Sequence, residues 1–324
     1  MDNGVSEEKR YLFGPVCSRR LGLSLGVDIV PLKVCSLDCV YCQLGRTGRK
    51  SIERKDYVPA EAVLAELKER LGDGLRIDFI TIGGSGEPTL NAKLGQIIEG
   101  IKKITDVPVA VLTNGTLLTD SSVRADCSKA DVVLPSLDAG DQQTFQKINR
   151  PHENINIEKV VAGLCAFREE FAGEIWLEVF FVEGLNTDAS QVAKIKGLIE
   201  RIRPDKVQLN TAVRPAADAG IHRLEREKLH TIAARLGANA EVIADATRPP
   251  AGRHVAGKVE YVLSMLKRRP CSLTEICSGL SMGRTEALEY LTQLQQQGVV
   301  ASEQRDEITF FKASSGWRKK PKGR

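Results

Sequence analysis

Two periods alternate along most of the chain. Short runs rich in Val, Ile and Leu recur at LSLGVDIV (23–30), RIDFITIGG (76–84), VPVAVLTNG (107–115), DVVLPSLDA (131–139), EIWLEVFFVEGLN (174–186) and DKVQLNTAV (205–213). Near-continuous apolar runs of this length are expected of strands covered on both faces, as in parallel sheets. Between them apolar residues return every three or four positions, at YVPAEAVLAELKERLG (57–72), NAKLGQIIEGIKKIT (91–105), TDSSVRADCSKA (119–130), NIEKVVAGLCAFREEFAG (156–173), DASQVAKIKGLIERIRP (188–204) and again over 224–236. The first of these has Pro59 near its start and Gly72 at its end, the usual punctuation of a helix. The pattern predicts six β–α units in a row. The fold class is therefore α/β, and right-handed crossovers wind such units into a partial (β/α)6 barrel or open arc. In such folds the chemistry gathers at the C-terminal strand ends.

The pattern changes near residue 250. DATRPPAGR (245–253) reads as a linker. RHVAGKVEYVLSMLKRRP (253–270) predicts a helix stopped by Pro270. SLTEICSGL (272–280) predicts a short helix with Ser272 and Glu275 spaced as a capping box. SMGRTEALEYLTQLQQQG (281–298) is a longer helix, and VVASEQRDEITFFK (299–312) a two-stranded ribbon. That order is the pattern of a winged helix-turn-helix. The expected division is a barrel over 1–250 with a cysteine loop at 31–50, a winged-helix unit over 251–316 and a basic tail over 317–324.

Composition narrows the class. The chain has 324 residues, 42% hydrophobic and 27% charged, as globular proteins do. No apolar run is long enough for a membrane span, and the acidic, polar N-terminus has no secretory h-region, so a cytoplasmic protein without a membrane partner is expected. The net charge of +4 is uneven, because from Arg253 onward thirteen Lys and Arg face seven Asp and Glu. A basic end of this kind suits a phosphate backbone or a solvated tail.

Eight cysteines in a reducing compartment are not expected to form disulfides. Three are clustered in KVCSLDCVYCQLG, Cys35, Cys39 and Cys42, in the spacing C-x3-C-x2-C. Thiolates suit iron–sulfur clusters, zinc and copper. A structural zinc site wants four protein ligands and a closed [4Fe–4S] site four cysteines. Three would leave one iron open to a ligand that is not protein.

The cysteine spacing, with Tyr41 between the last two, resembles that of the radical S-adenosylmethionine (radical SAM) superfamily, whose cysteine loop follows the first strand of a partial (β/α)6 barrel. The resemblance implies a [4Fe–4S] cluster on Cys35, Cys39 and Cys42. Its open iron would bind S-adenosylmethionine (SAM), which one-electron reduction cleaves to methionine and a 5′-deoxyadenosyl radical. It also implies an electron donor of the flavodoxin or ferredoxin type. GGSGEPTL (83–90) resembles the segment that binds the SAM amino group, which points to Gly84, Ser85, Gly86, Glu87 and Pro88. Asn114 in LTNG, and Ser136 and Asp138 in SLDA, occupy strand ends that contact SAM in relatives. Asn186, Gln208 and Asn210 near later strand ends suit either substrate contact or strand-end hydrogen bonding. Arg19 and Arg20 suit a carboxylate or phosphate, or a salt bridge. Cys17 reads as a buried thiol or an extra redox residue.

From residue 11 to 215 the layout, through GPVCSRRLG, CSLDCVYCQLGRT, GSGEPTLN, SLDA and QLNTAVRP, is similar to a subgroup of iron–sulfur oxidoreductases grouped with wyosine-type tRNA-modifying synthases. Those synthases carry a second cluster on three further N-terminal cysteines, where this chain has Cys17 alone. Another RNA or nucleotide substrate, tRNA included, stays open. So does peptide modification with docking through the C-terminal unit, and, in a different class, a redox-sensing DNA-binding regulator. The helix holding Arg284 also carries Glu286 and Glu289, which argues against base-specific DNA reading.

Overall fold

A computed structural model describes residues 11–72, 77–244, 259–280, 282–305 and 307–314. The expected linker at 245–253, the basic tail and the Cys17 side chain lie outside what is described.

The chain opens with β1 (Leu12–Ser18) and β2 (Gly22–Val27), an antiparallel hairpin. Then α1 (Ala60–Gly72), β3 (Phe79–Ile82), α2 (Leu94–Ile104), β4 (Val109–Thr113), α3 (Ser121–Cys127) and β5 (Val132–Pro135) follow. Next come α4 (Gln142–Ile148), α5 (Ile157–Glu170), β6 (Glu174–Phe180), α6 (Ala189–Ile202), β7 (Lys206–Asn210), α7 (Arg226–Leu236) and β8 (Ala240–Val242). The sheet runs β1 to β8 in sequence order, parallel from β2 onward. Six of its strands are those read from the apolar runs; β1, β8 and the short α4 are additions. β1 escaped the pattern because Gly14 and Pro15 interrupt it at a register shift between Phe13 and Val16.

Leu25, Val27, Ile80, Ile82, Val109 and Val111 face the helices and are fully buried in the main core. Alternate positions point into the arc, as the period of two requires. Near the strand starts the interior is filled by Leu21, Ala110, Val132, Leu134 and Trp176. Among the described residues the two ends of the sheet do not pair. The hairpin tip crosses between them instead, where Arg19 Nη1 donates to Asn210 Oδ1 at 3.3 Å and to the carbonyls of Ile243 and Ala244 at 3.5 and 3.2 Å.

The C-terminal unit contains α8 (Val259–Arg268), β9 (Cys271–Ser272), α9 (Leu273–Leu280), α10 (Arg284–Gln296), β10 (Val300–Arg305) and β11 (Ile308–Ala313). Its strands form an antiparallel sheet in the order β10-β11-β9. The capping box is formed, with Ser272 N donating to Glu275 Oε2 at 2.9 Å and Glu275 N to Ser272 Oγ at 3.2 Å. The unit is docked on the outer strand of the barrel, since Val16 of β1 belongs to its apolar core. Polar contacts fix it further: Arg214 pairs with Glu275, Arg268 with Asp28 at 3.4 Å, and Arg305 Nη1 donates to the Arg214 carbonyl at 2.8 Å. Among the described residues no helix is long and apolar enough to cross a membrane.

Candidate functional site

The cysteine loop leaves β2 and is sewn to its surroundings by backbone hydrogen bonds. Lys33 N donates to Ser85 O at 2.7 Å and Glu87 N to Val34 O at 2.9 Å, joining the loop to the end of β3. His152 N donates to Ser36 O at 2.9 Å and Val40 N to Ile148 O at 2.9 Å, joining it to the end of α4 and the segment after it. The approach at β3 is so close that a Cβ on Gly86 would stand 2.0 Å from Val34 O. Gly86 is therefore required by the loop itself.

Each of the three sulfurs has an N–H aimed at it: Asn114 Nδ2 at Cys35 Sγ (3.6 Å), Asn149 Nδ2 at Cys39 Sγ (3.4 Å) and Lys33 Nζ at Cys42 Sγ (3.1 Å). Burial, then Glu87, pushes the Cys35 thiol up to about 12. Burial, then Asp138, raises Cys39 well above its ordinary value. Thiolates here need a positively charged partner as well as their donors.

Asp138 is buried beneath the loop. It accepts from Tyr41 Oη, from Asn149 Nδ2 at 2.6 Å and from Phe180 N at 2.8 Å. Burial leads the opposing effects and raises its carboxyl to about 6. The sequence placed Asp138 at SAM; in the structure its carboxylate meets Tyr41, Asn149 and the Phe180 N–H of β6. The Tyr41 ring stacks on Phe180 with centroids 3.8 Å apart.

Glu87 is enclosed too. Oε1 accepts from Thr89 N at 3.0 Å, Thr89 Oγ1 at 2.5 Å and Thr113 Oγ1 at 2.6 Å; Oε2 accepts from Asn114 N at 2.7 Å. Burial still raises its carboxyl above the usual range. It ties the ends of β3 and β4 together, and so fixes Asn114 over Cys35. Ser85 donates to Asp28, Pro88 begins a 3-10 turn ending at Leu90, and Ser136 bridges to Glu178 on β6. Among the described residues the Asn186 side chain bonds backbone groups, at Asp138 O, Phe180 O and Val182 N, and so braces the strand end. Gln208 donates to Glu241 at 2.8 Å.

A cavity of about 360 Å³ opens above the filled part of the arc. Cys39, Tyr41, Cys42, Gly83, Gly84, Glu178, Phe180 and Asn210 line it. Of the residues expected at SAM, only Tyr41 and Gly84 are among its lining residues. Arg268 and Arg269 of the C-terminal unit line it as well, and Arg268 lies over the Phe13 ring, 4.5 Å from its centroid. Lys33, Asn149, Phe180 and Arg269 carried no local sequence signal for these places.

The family model described as Radical SAM superfamily matches residues 29–193. The chain belongs to the radical SAM superfamily. It is 38% identical over 299 residues to a Brachyspira hyodysenteriae protein named GTPase Obg, covering 91% of this chain and 44% of that one. It is 37% identical over 208 residues to a UPF0026 protein of Methanocaldococcus jannaschii, covering 64% of each. The chain thus spans less than two thirds of the length of either relative. The fold is similar to that of a radical SAM methyltransferase from Sphaerobacter thermophilus, with a TM-score of 0.50 at 16% identity over 68% of this chain and 66% of that one.

The superfamily uses a [4Fe–4S] cluster and SAM, and the residues present fit both. Among the described residues no three His, Cys, Asp or Glu side chains gather as for a single metal ion. A four-iron cluster asks for something else: each cysteine holds its own iron, and N–H donors to sulfur tune it. Beside two of the cysteines, the glycine backbone at Gly83 and Gly84 leaves the cavity wall bare of side chain.

Proposed function

We propose that this chain cleaves SAM reductively and takes a hydrogen atom from a nucleotide or RNA substrate held in the cavity. The observation that carries the reading is the triad of cysteines, each with its own N–H donor, two of them opening onto that cavity. Bound there, the cluster and SAM supply a one-electron cleavage of the sulfonium that yields methionine and a 5′-deoxyadenosyl radical.

The chain's own residues position and protect. Asn114, Asn149 and Lys33 hold the sulfurs, and Asp138 holds Tyr41 and Asn149. Gly84 to Pro88 and Ser136 form the SAM side of the site. Glu87 serves that side by holding Thr113 and Asn114 at the end of β4 in place. The Tyr41–Phe180 stack, with Phe13 and the C-terminal unit, excludes water from the cavity. That unit acts as a winged-helix module that presents substrate. The reductant is a flavodoxin- or ferredoxin-type donor.

The test is anaerobic reconstitution with iron and sulfide, followed by dithionite and SAM, with 5′-deoxyadenosine measured against Cys39→Ala. Production by the wild type and none by the variant is expected. No production from a chain carrying a full four-iron cluster overturns the reading in favour of a cluster-based sensor.

A further inference from the structure

Lys33 has an unusual backbone for its residue type. Its φ is +63°, in the left-handed region that L side chains rarely adopt and glycine adopts freely. The main chain holds it there: Lys33 N donates to Ser85 O at 2.7 Å, and Val34 N turns back to Pro31 O at 3.0 Å. A turn of this shape is better served by glycine, as it is at Gly45, where φ is +83°. Strain of this kind persists where the side chain has a task.

The side chain is what a glycine would lack. Lys33 Nζ stands 3.1 Å from Cys42 Sγ in a half-buried contact. Among the described residues no carboxylate pairs with this ammonium, and the sulfur is its partner. The three sulfurs are thus treated differently. Cys35 and Cys39 receive neutral amide N–H groups, from Asn114 and Asn149. Each of those asparagines is held by a buried carboxylate: Glu87 Oε2 accepts from Asn114 N at 2.7 Å, and Asp138 Oδ2 from Asn149 Nδ2 at 2.6 Å. Negative charge behind two sulfurs opposes the arrival of an electron; the ammonium at the third favours it.

We propose that Lys33 poises the cluster for reduction: its ammonium, acting through the Cys42 sulfur, raises the reduction potential and eases electron transfer from the flavodoxin- or ferredoxin-type donor. The donor loses one electron and the cluster gains it. No proton moves and no bond to Lys33 forms, so the added negative charge meets a fixed positive one. Lys33 is a positioning residue, and it sets an energy as well as a place. The inference rests on reading Cys35, Cys39 and Cys42 as ligands of a [4Fe–4S] cluster.

The test is a dithionite titration with redox mediators of the anaerobically reconstituted full chain, without SAM, in which the reduced cluster is followed by electron paramagnetic resonance. Lys33→Gln keeps an N–H donor and loses the charge. Its reduction equilibrium should fall at least about tenfold, a drop of about 59 mV for one electron. Lys33→Arg keeps the charge and should stay within about threefold of the wild type. Lys33→Gly should lose as much potential as Lys33→Gln, while the melting temperature of the cluster-free chain holds or rises, because glycine suits the φ. Iron and sulfide content confirm that each variant is loaded. An unchanged potential in loaded Lys33→Gln and Lys33→Gly overturns the proposal. So does loss of the cluster from both, or a clear fall in the melting temperature of Lys33→Gly, since Lys33 would then be building the loop. An unchanged potential with 5′-deoxyadenosine still formed by the wild type sinks this inference alone. The expected shift in a chain that forms no 5′-deoxyadenosine sinks the radical reading alone.

Discussion

Glu275 joins the C-terminal unit to the barrel, and its charge can be removed without its shape. One oxygen accepts from Ser272 N in the cap of α9, and the other meets Arg214. Burial pushes its carboxyl up, but Arg214 and Arg269 outweigh burial and hold it at about 2, against an ordinary 4.5. At about 1.4 kcal/mol per pH unit, that difference corresponds to about 3 kcal/mol of stability in the ionised form. The folded value lies below the unfolded one. The contribution is therefore complete above about pH 4.5 and lost as pH falls toward about 2. Glu275→Gln keeps a cap acceptor. It should cost about 3 kcal/mol near neutral pH and about half of that near pH 3. This is not the worth of the pair. Burial lowers the Arg214 guanidinium despite Glu275, so the substitution reads the cost of stranding a buried cation. Urea unfolding of the cluster-free chain at both pH values, followed by circular dichroism, measures it. A loss below about 1 kcal/mol at neutral pH, or one equal at both pH values, refutes the reasoning.

Two further substitutions test the site itself. Asp138→Ala strands three buried donors, Tyr41 Oη, Asn149 Nδ2 and Phe180 N. At about 1–3 kcal/mol for each unanswered group, and less than additively, it should lower stability by about 3 kcal/mol. It should also lower the iron bound per chain after reconstitution, and a wild-type iron content would contradict the positioning role. Gly86→Ala places a Cβ 2.0 Å from Val34 O, a backbone atom that cannot swing aside. A loss of about 2–4 kcal/mol is expected as the cysteine loop separates from β3, and an unchanged melting temperature would argue against that packing.

What could be read from the sequence divides along a physical line. The three cysteines and the six inner strands were legible because their information is local: ligand spacing within one loop, and apolar runs within one strand. Gly86 and Glu87 were expected at SAM, and their closest engagements in the structure are with the cysteine loop and with Thr89, Thr113 and Asn114. Asp138 was expected at SAM, and nothing in SLDA shows that Tyr41, 97 positions earlier, would come to it. Asn149 was missed for the same reason, being 110 positions from Cys39.

The arginines extend the point to the cavity. Arg19 reaches Asn210 across 191 positions, and Arg268 and Arg269 reach the cavity only because α8 and α9 are packed on β1. A cluster loop can be written in eight residues, since the cofactor dictates the spacing. The cavity walls come here from the hairpin tip, the segment after β7 and the C-terminal unit, which the sequence places far apart. Weakening the Arg214–Glu275 contact should therefore disturb the cavity walls before it disturbs the cysteines, which are fastened to β3, to the end of α4 and to the segment after it by bonds that do not involve the C-terminal unit.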